Sequence, residues 1–339
     1  MTFINKRTPR TVTTITPQRI SFVGGGTDLP SFYTKHGGAV ISSAINQYVY
    51  VTVKQHSPLF NEAYRLSYSK TEHVNALDDI ENSIARECLR LVNVEPPLYV
   101  ATAADLPASS GLGSSSSFAV GLLNALHLLK GERVSPAQLA EEACEIEINI
   151  LGNPIGKQDQ YAAAFGGLNH IIFNKNGRVE IDHLVLHNNI INEIFENSLL
   201  IWTGIQRDAA SILSKQNKTI DINIAGYESL IHNTLNCKRL MLGNSNQFLK
   251  DFGNILEKSW LAKKQLEKTI SSNSMDMMHE QVKSLGGLGG KLSGAGGGGF
   301  FYEIAPKDIQ DNLLNIFGKN KVLKIAYEPI GSRILFEIY

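Results

Sequence analysis

Leu106–Ser117 reads LPASSGLGSSSS, and what lies on either side of it decides the fold. Before it, Leu98–Ala103 (LYVATA) is a short apolar run that predicts a strand. After it, Ser114–Leu129 carries Phe118, Leu122, Leu126 and Leu129 along one side of a predicted helix. A helix start leaves backbone N–H groups unpaired and carries about half a positive charge, so it attracts an anion. Glycines let that backbone come close, and serine hydroxyls add donors or metal ligands. The stretch reads as a Ser-capped loop or as a phosphate cradle, and four serines in a row after Gly-Leu-Gly favour the cradle. It is not a Walker A loop, because no Gly-Lys-Ser/Thr closes it. Nor is it a protein-kinase glycine loop, which lies between strands.

Outward from this loop, Thr11–Thr16 and Arg19–Val23 predict extended chain running into Gly24–Gly26. Ala39–Lys54 is rich in Val, Ile and Tyr and predicts a pair of strands. Asp79–Val92 and Pro136–Leu151 predict helices, the second with Ser135 as its cap and Pro136 in its first turn. After about Asn189 the texture changes. Asn197–Thr203 predicts a strand, and Arg207–Lys218, Tyr227–Leu242 and Phe248–Ile270 predict long helices. Nine of the 29 glycines fall within Gly286–Gly299, followed by a strand (Phe300–Ile304), a helix (Lys307–Phe317) and a last strand pair to Tyr339. Strands with interleaved helices, without strict alternation, give an α+β class, divided into domains 1–188 and 189–339.

The composition excludes several classes of function. The 339 residues, 43% hydrophobic and 19% charged, are long enough to bury a large core without staples. Thirty-two basic and 32 acidic residues cancel, which argues against a general nucleic-acid or anionic-membrane binder. Cys88, Cys144 and Cys237 are far apart and read as reduced thiols. With no signal-like segment and no long apolar span, the expected location is the cytoplasm.

Two further glycine-rich stretches and one acidic turn hold the remaining candidates. Gly294–Gly299 (GAGGGG) satisfies a dinucleotide fingerprint by count, but a strand follows it where a helix is required. A turn approaching a ligand or another loop fits better. In RISFVGGGTDLP (Arg19–Pro30), Asp28 reads as a turn or helix cap, or as a carboxylate for sugar hydroxyls. In GNPIGKQDQYAAAFGG (Gly152–Gly167), Asp159 reads as a helix N-cap or as a functional acid. Glu147, just before this turn, belongs to a solvated acidic face or to a metal site. Mg²⁺ needs only one or two protein oxygens beside nucleotide phosphates, so one serine and one glutamate suffice.

Three separated motifs then coincide with one family. TPQRISFVGGGTD (Thr16–Asp28), LPASSGLGSSSS and KLSGAGGGGF (Lys291–Phe300) resemble the three motifs of the GHMP small-molecule kinases, in order and over essentially the whole chain. The likeness is greater to the D-glycero-D-manno-heptose 7-phosphate kinase branch than to fucokinase-type sugar kinases. The segments GGGTDLP, SSGLGSSSSF and GNPIGKQDQYAAAFGG carry it. The resemblance implies a ribosomal-protein-like N-terminal ATP-binding domain and a ferredoxin-like C-terminal domain, with ATP and substrate in the cleft between them. It implies that Pro107, Ser109, Ser110, Gly111, Leu112, Gly113, Ser114, Ser115 and Ser116 wrap the ATP phosphates, and that Ser115 and Glu147 hold Mg²⁺. Asp159 matches the family's catalytic aspartate, Arg19 the arginine that stabilises developing charge, and Asp28 the sugar-contacting aspartate of the first motif.

Departures from the family narrow the substrate. Gly25 and Gly26 stand where galactokinases have Glu-His, which widens the pocket around Gly25, Gly26, Thr27 and Asp28 and suits a bulkier sugar. Ser116 replaces the usual alanine, so the metal-contacting hydroxyl is open to displacement by one position. The Asp159 turn has one residue more than in mevalonate kinase. A sugar phosphate needs a cationic receptor, for which Lys157 and Arg207 are the candidates. The resemblance thus implies ATP-dependent phosphorylation of the anomeric hydroxyl of D-glycero-D-manno-heptose 7-phosphate to the 1,7-bisphosphate, supplying nucleotide-activated heptose for a surface polysaccharide. Another sugar 1-kinase such as a fucokinase, or an inactive sugar-binding family member, is the alternative. No nucleic-acid or membrane partner is implied, and a homodimer is left open.

Overall fold

The computed structural model describes residues 8–206 and 209–339. Its strands, in chain order, are β1 (Thr11–Val23), β2 (Gly38–Gln55), β3 (Tyr64–Ser67), β4 (Thr71–Val74), β5 (Leu98–Ala104), β6 (Leu168–Phe173), β7 (Val179–His183), β8 (Ser198–Trp202), β9 (Gly289–Leu292), β10 (Phe300–Ile304), β11 (Val322–Lys324) and β12 (Arg333–Ile338). The helices that matter for the site are α1 (Ser114–Leu129), α2 (Pro136–Cys144), α3 (Gln158–Phe165), α4 (Ala209–Lys218), α5 (Ile224–Leu242) and α6 (Phe248–Lys264). The first sheet has the order β12-β1-β2-β5-β3-β4, with β6 on β2 and β7 on β6; the second has the order β11-β8-β10-β9. This is a mixed α and β architecture with two sheets, as the α+β reading requires.

The pair of strands expected over Ala39–Lys54 is one strand of 18 residues. Its first half, Gly38–Ser43, pairs with β6, and its second, Val49–Gln55, pairs with β5. Meanwhile β1 runs beside both halves, with its register shifting between Pro17 and Gln18. Proline has no N–H for the ladder, so the irregularity sits there and bends the long strand without ending it. The last strand pair is also corrected: β11 pairs with β8 in the second sheet, whereas β12 pairs antiparallel with β1 in the first.

Two cores meet beneath the site. Helix α1 packs Ala119, Val120, Leu122, Leu123 and Leu126 against Val49, Val51 and Val53 of β2. A second cluster joins Ile20, Phe22, Ile41 and Ile45 of the first sheet to Leu200, Phe300 and Tyr302 of the second, closed by Phe252 and Leu256 of α6. Phe22 contacts Phe252 edge-on, with ring centroids 5.3 Å apart. Burial of these large apolar side chains fixes the two sheets against each other. The three cysteines are buried and free. Among the described residues, no helix is long and apolar enough to cross a membrane.

Candidate active site

A cleft of about 320 Å³ opens where α1, α3, α4 and α6 converge on the ends of β1 and β9. One wall is the loop read first in the sequence. Gly111 and Gly113 have φ of +82° and +79°, and α1 begins directly after them at Ser114. Ser109, Gly111, Gly113, Ser114, Ser115 and Ser116 line the cleft. Pro107, Ser110 and Leu112 do not. Pro107 is exposed, Ser110 is buried with its carbonyl accepting from Phe300 N, and Leu112 is a core residue whose carbonyl accepts from Arg19 N.

The glycine turn after β9 packs on this loop. A Cβ on Gly111 would lie 2.8 Å from Ser293 O, and one on Gly294 would lie 2.7 Å from Gly111 Cα. GAGGGG is therefore a strand-to-strand turn pressed against the phosphate-type loop, as its sequence context suggested.

Glu147 is buried, not part of a solvated face. The helix begun by α2 continues through Glu145–Ile150 with wider i→i+5 bonding, seen in Leu151 N donating to Ile146 O. That local widening buries both Ile146 and Glu147, consecutive residues, and brings the carboxylate to the cleft wall. Ser116 Oγ donates to Glu147 Oε2 at 2.7 Å, as does Gln160 Nε2 at 2.7 Å, while Ser115 Oγ donates to Oε1 at 3.0 Å. Burial raises the pKa of this carboxyl, and the three donors oppose that shift. Ser115, exposed to the cleft, and Glu147 Oε1 form a hydroxyl-plus-carboxylate pair of the hard-oxygen type that suits Mg²⁺. Ser116 stands behind, buried, holding Glu147 in place.

Asp159 is the second residue of α3, whose cap position is Lys157, so it is not an N-cap. Arg19 grips it: Nε donates to Oδ1 and Nη2 to Oδ2, both at 2.7 Å. The remaining Arg19 contact, Nη1 to Gly111 O at 2.8 Å, ties the pair to the loop. The arginine side chain is 4% exposed and the aspartate 23%, so the pair is sheltered on the arginine side and open to the cleft on the other.

Asp28 is not a helix cap either. It accepts from Gly26 N at 2.8 Å and from Gln158 N at 3.4 Å, linking the first glycine loop to the start of α3. A Cβ on Gly156 would fall 1.8 Å from Asp28 Oδ2, so only glycine admits that carboxylate. Burial raises the Asp28 pKa, with Asp159 adding to the shift against the backbone donors. Gly25, Gly26 and Asp28 line the cleft. Thr27 does not: its hydroxyl donates to Gly24 O and Ala39 O, bracing the loop.

Of the two residues expected to receive a substrate phosphate, the structure places Lys157 away from the cleft wall. Lys157 Nζ donates to Gly177 O at 3.1 Å and lies 5.5 Å from the Tyr33 ring centroid, off the cleft wall. Lys157, two residues before Asp159, leaves the cleft wall while Gln158 and Asp159 line it. Arg207 lies outside the described residues. Two lysines without a role in the sequence reading, Lys263 and Lys291, line the cleft instead. Lys291 was visible inside the third motif; Lys263, in KSWLAKK, has the local signature of a solvated helix face, and only tertiary packing buries it.

A helix start beneath a glycine-serine loop, a buried carboxylate with a serine beside it, and an acid held by arginine define a small-molecule phosphotransferase cleft. The model of the GHMP kinases N-terminal domain matches residues 75–167. The D-glycero-alpha-D-manno-heptose 7-phosphate kinase of Campylobacter jejuni is 30% identical over 326 residues, covering 92% of this chain and 94% of that one. The galactokinase of Pyrococcus furiosus is 25% identical, covering 94% and 95%. The crystal structure of a D-glycero-D-manno-heptose 1-phosphate kinase from Bacteroides thetaiotaomicron superposes with a TM-score of 0.78 at 24% identity, covering 97% and 99%, which shows a shared fold. The chain belongs to the GHMP kinase family. It is a phosphotransferase with an alcohol group as acceptor, and ATP is the family's phosphoryl donor.

Proposed function

We propose that the chain transfers the γ-phosphoryl group of ATP to the anomeric hydroxyl of D-glycero-D-manno-heptose 7-phosphate, giving the 1,7-bisphosphate. The observation that carries this reading is the Arg19 bridge between Asp159 and the Gly111 carbonyl, which places an acid at the junction of the phosphate-type loop and the glycine-lined pocket. The 30% identity to a heptose 7-phosphate kinase supports the choice of acceptor.

In this reading Gly111, Gly113 and the first turn of α1 receive the ATP phosphates, whose charge the helix start favours. Mg²⁺, when bound, neutralises phosphate charge, and Ser115 Oγ with Glu147 Oε1 would hold it. Each Asp159 oxygen accepts one bond from Arg19 and keeps a second lone pair for the acceptor hydroxyl. Asp159 orients that hydroxyl and takes its proton as the new O–P bond forms and the bond to ADP breaks. Arg19 offsets the charge that develops. Asp28, fixed by two backbone donors, accepts from sugar hydroxyls, and Gly25 and Gly26 leave room for a seven-carbon sugar.

Residues 1–188 form the ATP-binding domain of this reading and 189–339 the C-terminal domain, with β12 lending a strand to the first sheet. The setting is the cytoplasm and the product feeds nucleotide-activated heptose for surface polysaccharide.

The test is ADP release with Mg·ATP against heptose 7-phosphate, unphosphorylated heptose, fucose, galactose and mevalonate. Highest kcat/KM on heptose 7-phosphate is expected. Preference for an unphosphorylated sugar would move the chain to the fucokinase-type alternative. No turnover on any acceptor, with ATP bound, would make it a sugar-binding member without catalysis.

A further inference from the structure

The cleft holds more positive charge than Arg19 alone supplies. Lys263, on α6, and Lys291, on β9, both line it, and only 4% and 3% of their surfaces remain exposed. An ammonium has three protons to donate. Among the described residues each finds one acceptor: Lys263 Nζ donates to Gly294 O, and Lys291 Nζ donates to Ser21 O at 2.6 Å. Neither forms an ion pair among the described residues, whose carboxylates all lie beyond 4.0 Å from these nitrogens. Burying a cation is unfavourable unless nearby charge offsets it, and two near one another add their repulsion; Asp28 acts on both lysines and Asp159 on Lys263, without cancelling that cost. The strain shows in their acidity. Burial first, then Arg19, lowers the Lys263 pKa to about 8; burial, then Lys263 itself, holds that of Lys291 well below the usual lysine value. Such an arrangement is completed by an anion.

Two anions enter this cleft in the proposed reaction, and position separates them. The ATP tail has a receptor of its own in the Gly111–Ser116 loop. Lys291 instead reaches the carbonyl of Ser21, a residue of the cleft wall whose Oγ is buried and has no hydrogen-bond partner among the described residues. That Oγ lies 3.4 Å from where a Gly25 Cβ would stand, in the glycine-lined pocket with Asp28. Gln158 Oε1, also buried and unpartnered, lies on the same wall.

We propose that Lys263 and Lys291, with the Ser21 hydroxyl, form the receptor for the phosphate already carried by the sugar acceptor. This subsite rests on the sugar-phosphate reading above. It assigns to these lysines the task first expected of Lys157 and Arg207. Bound there, a phosphate dianion satisfies both ammonium groups and fixes the far end of the sugar while Asp159 meets the hydroxyl to be phosphorylated.

The experiment compares kcat/KM for heptose 7-phosphate with that for unphosphorylated heptose, in the wild type and in Lys263→Met and Lys291→Met. The wild-type ratio is read first: a value below one overturns the sugar-phosphate reading itself, and the subsite with it. Given a ratio above one, each methionine variant lowers it about 10–100-fold, the worth of a charge-assisted hydrogen bond. A ratio that stays constant while both acceptors lose equally overturns the subsite alone and assigns the lysines to the transferring phosphoryl group. Calorimetric titration of heptose 7-phosphate without nucleotide gives a readout independent of turnover, with the same 10–100-fold weakening expected and unchanged affinity contradicting the proposal. If Lys263→Met does not fold, Lys291→Met and Ser21→Ala carry the same comparison.

Discussion

Replacing Asp159 by asparagine separates the acid's chemical task from its structural one. The substitution keeps the shape of the side chain but puts an amide where Arg19 now meets two carboxylate oxygens at 2.7 Å. One guanidinium donor then faces an NH₂ group, and the Arg19 charge, 4% exposed, loses its counter-charge. Breaking a fully buried pair costs about 3–5 kcal/mol. Here the aspartate is 23% exposed and solvent screens part of the interaction, so a loss of about 1–3 kcal/mol in unfolding free energy is expected. The effect on catalysis is larger. A positioned base contributes about 10²–10⁴-fold, and kcat should fall by that factor. Affinity for ATP should change little, because asparagine keeps the volume that packs against Gly113 and the loop proposed to receive ATP is hydrogen-bonded to the pair through Arg19. Urea unfolding, coupled ADP release and titration with a fluorescent ATP analogue measure the three quantities separately. A kcat within threefold of wild type would remove Asp159 from the chemistry. An equal fall in kcat and ATP affinity would mean that the variant dismantles the loop, and would refute the division of labour argued above.

Three other perturbations follow from the same geometry. Glu147→Gln should raise the Mg²⁺ concentration for half-maximal activity about 10–100-fold, and weaken Mn²⁺ binding followed by electron paramagnetic resonance similarly; unchanged metal affinity would place the ion elsewhere. Gly294→Ala drives a methyl group to 2.7 Å from Gly111 Cα, so the loop must shift and ATP affinity should drop at least tenfold by fluorescence titration, with an unperturbed Kd contradicting the packing. His279 lies between Glu257 and Glu303, 2.7 Å from each, and those bonds outweigh burial to raise its pKa to about 9. A raised histidine pKa stabilises fully below its unfolded value near 6.5 and loses that contribution as pH climbs to about 9. The stability advantage of wild type over His279→Gln should therefore shrink by up to about 3 kcal/mol across that range, at ~1.4 kcal/mol per pKa unit; a pH-independent difference would refute it.

Local signals were legible where chemistry and periodicity coincide. The helix after LPASSGLG starts at Ser114 and ends at Leu129, as its apolar spacing indicates, and Ser135 caps the next helix through Gln138 N. The acid-bearing turn was legible because Asp159 sits beside unusual glycine and proline chemistry. Properties that depend on the rest of the molecule were not. β2 reads as two strands because it serves two partners, and no local residue announces that β1 accompanies both. Spacing alone leaves Glu147 between a solvated acidic face and a metal site, since the widened helical turn that buries it leaves no mark in hydrophobic spacing. Lys157, expected at the cleft, lies off its wall, and Lys263, given no role by the sequence, lines it, for the same reason. A lysine's direction is set by the element it stands on and by what packs over it, neither of which its neighbours in sequence encode. The return of β12 to β1, across more than 300 residues, is set by pairing and cannot be read from either strand alone.

The most direct measurement is phosphorus nuclear magnetic resonance of a single reaction containing the protein, Mg·ATP and D-glycero-D-manno-heptose 7-phosphate. A new phosphorus signal coupled to the anomeric proton is expected, with the signal of the original phosphate retained and ADP formed in equal amount. A new signal coupled to a proton elsewhere on the sugar, or no transfer to this acceptor while an unphosphorylated sugar is converted, would contradict it.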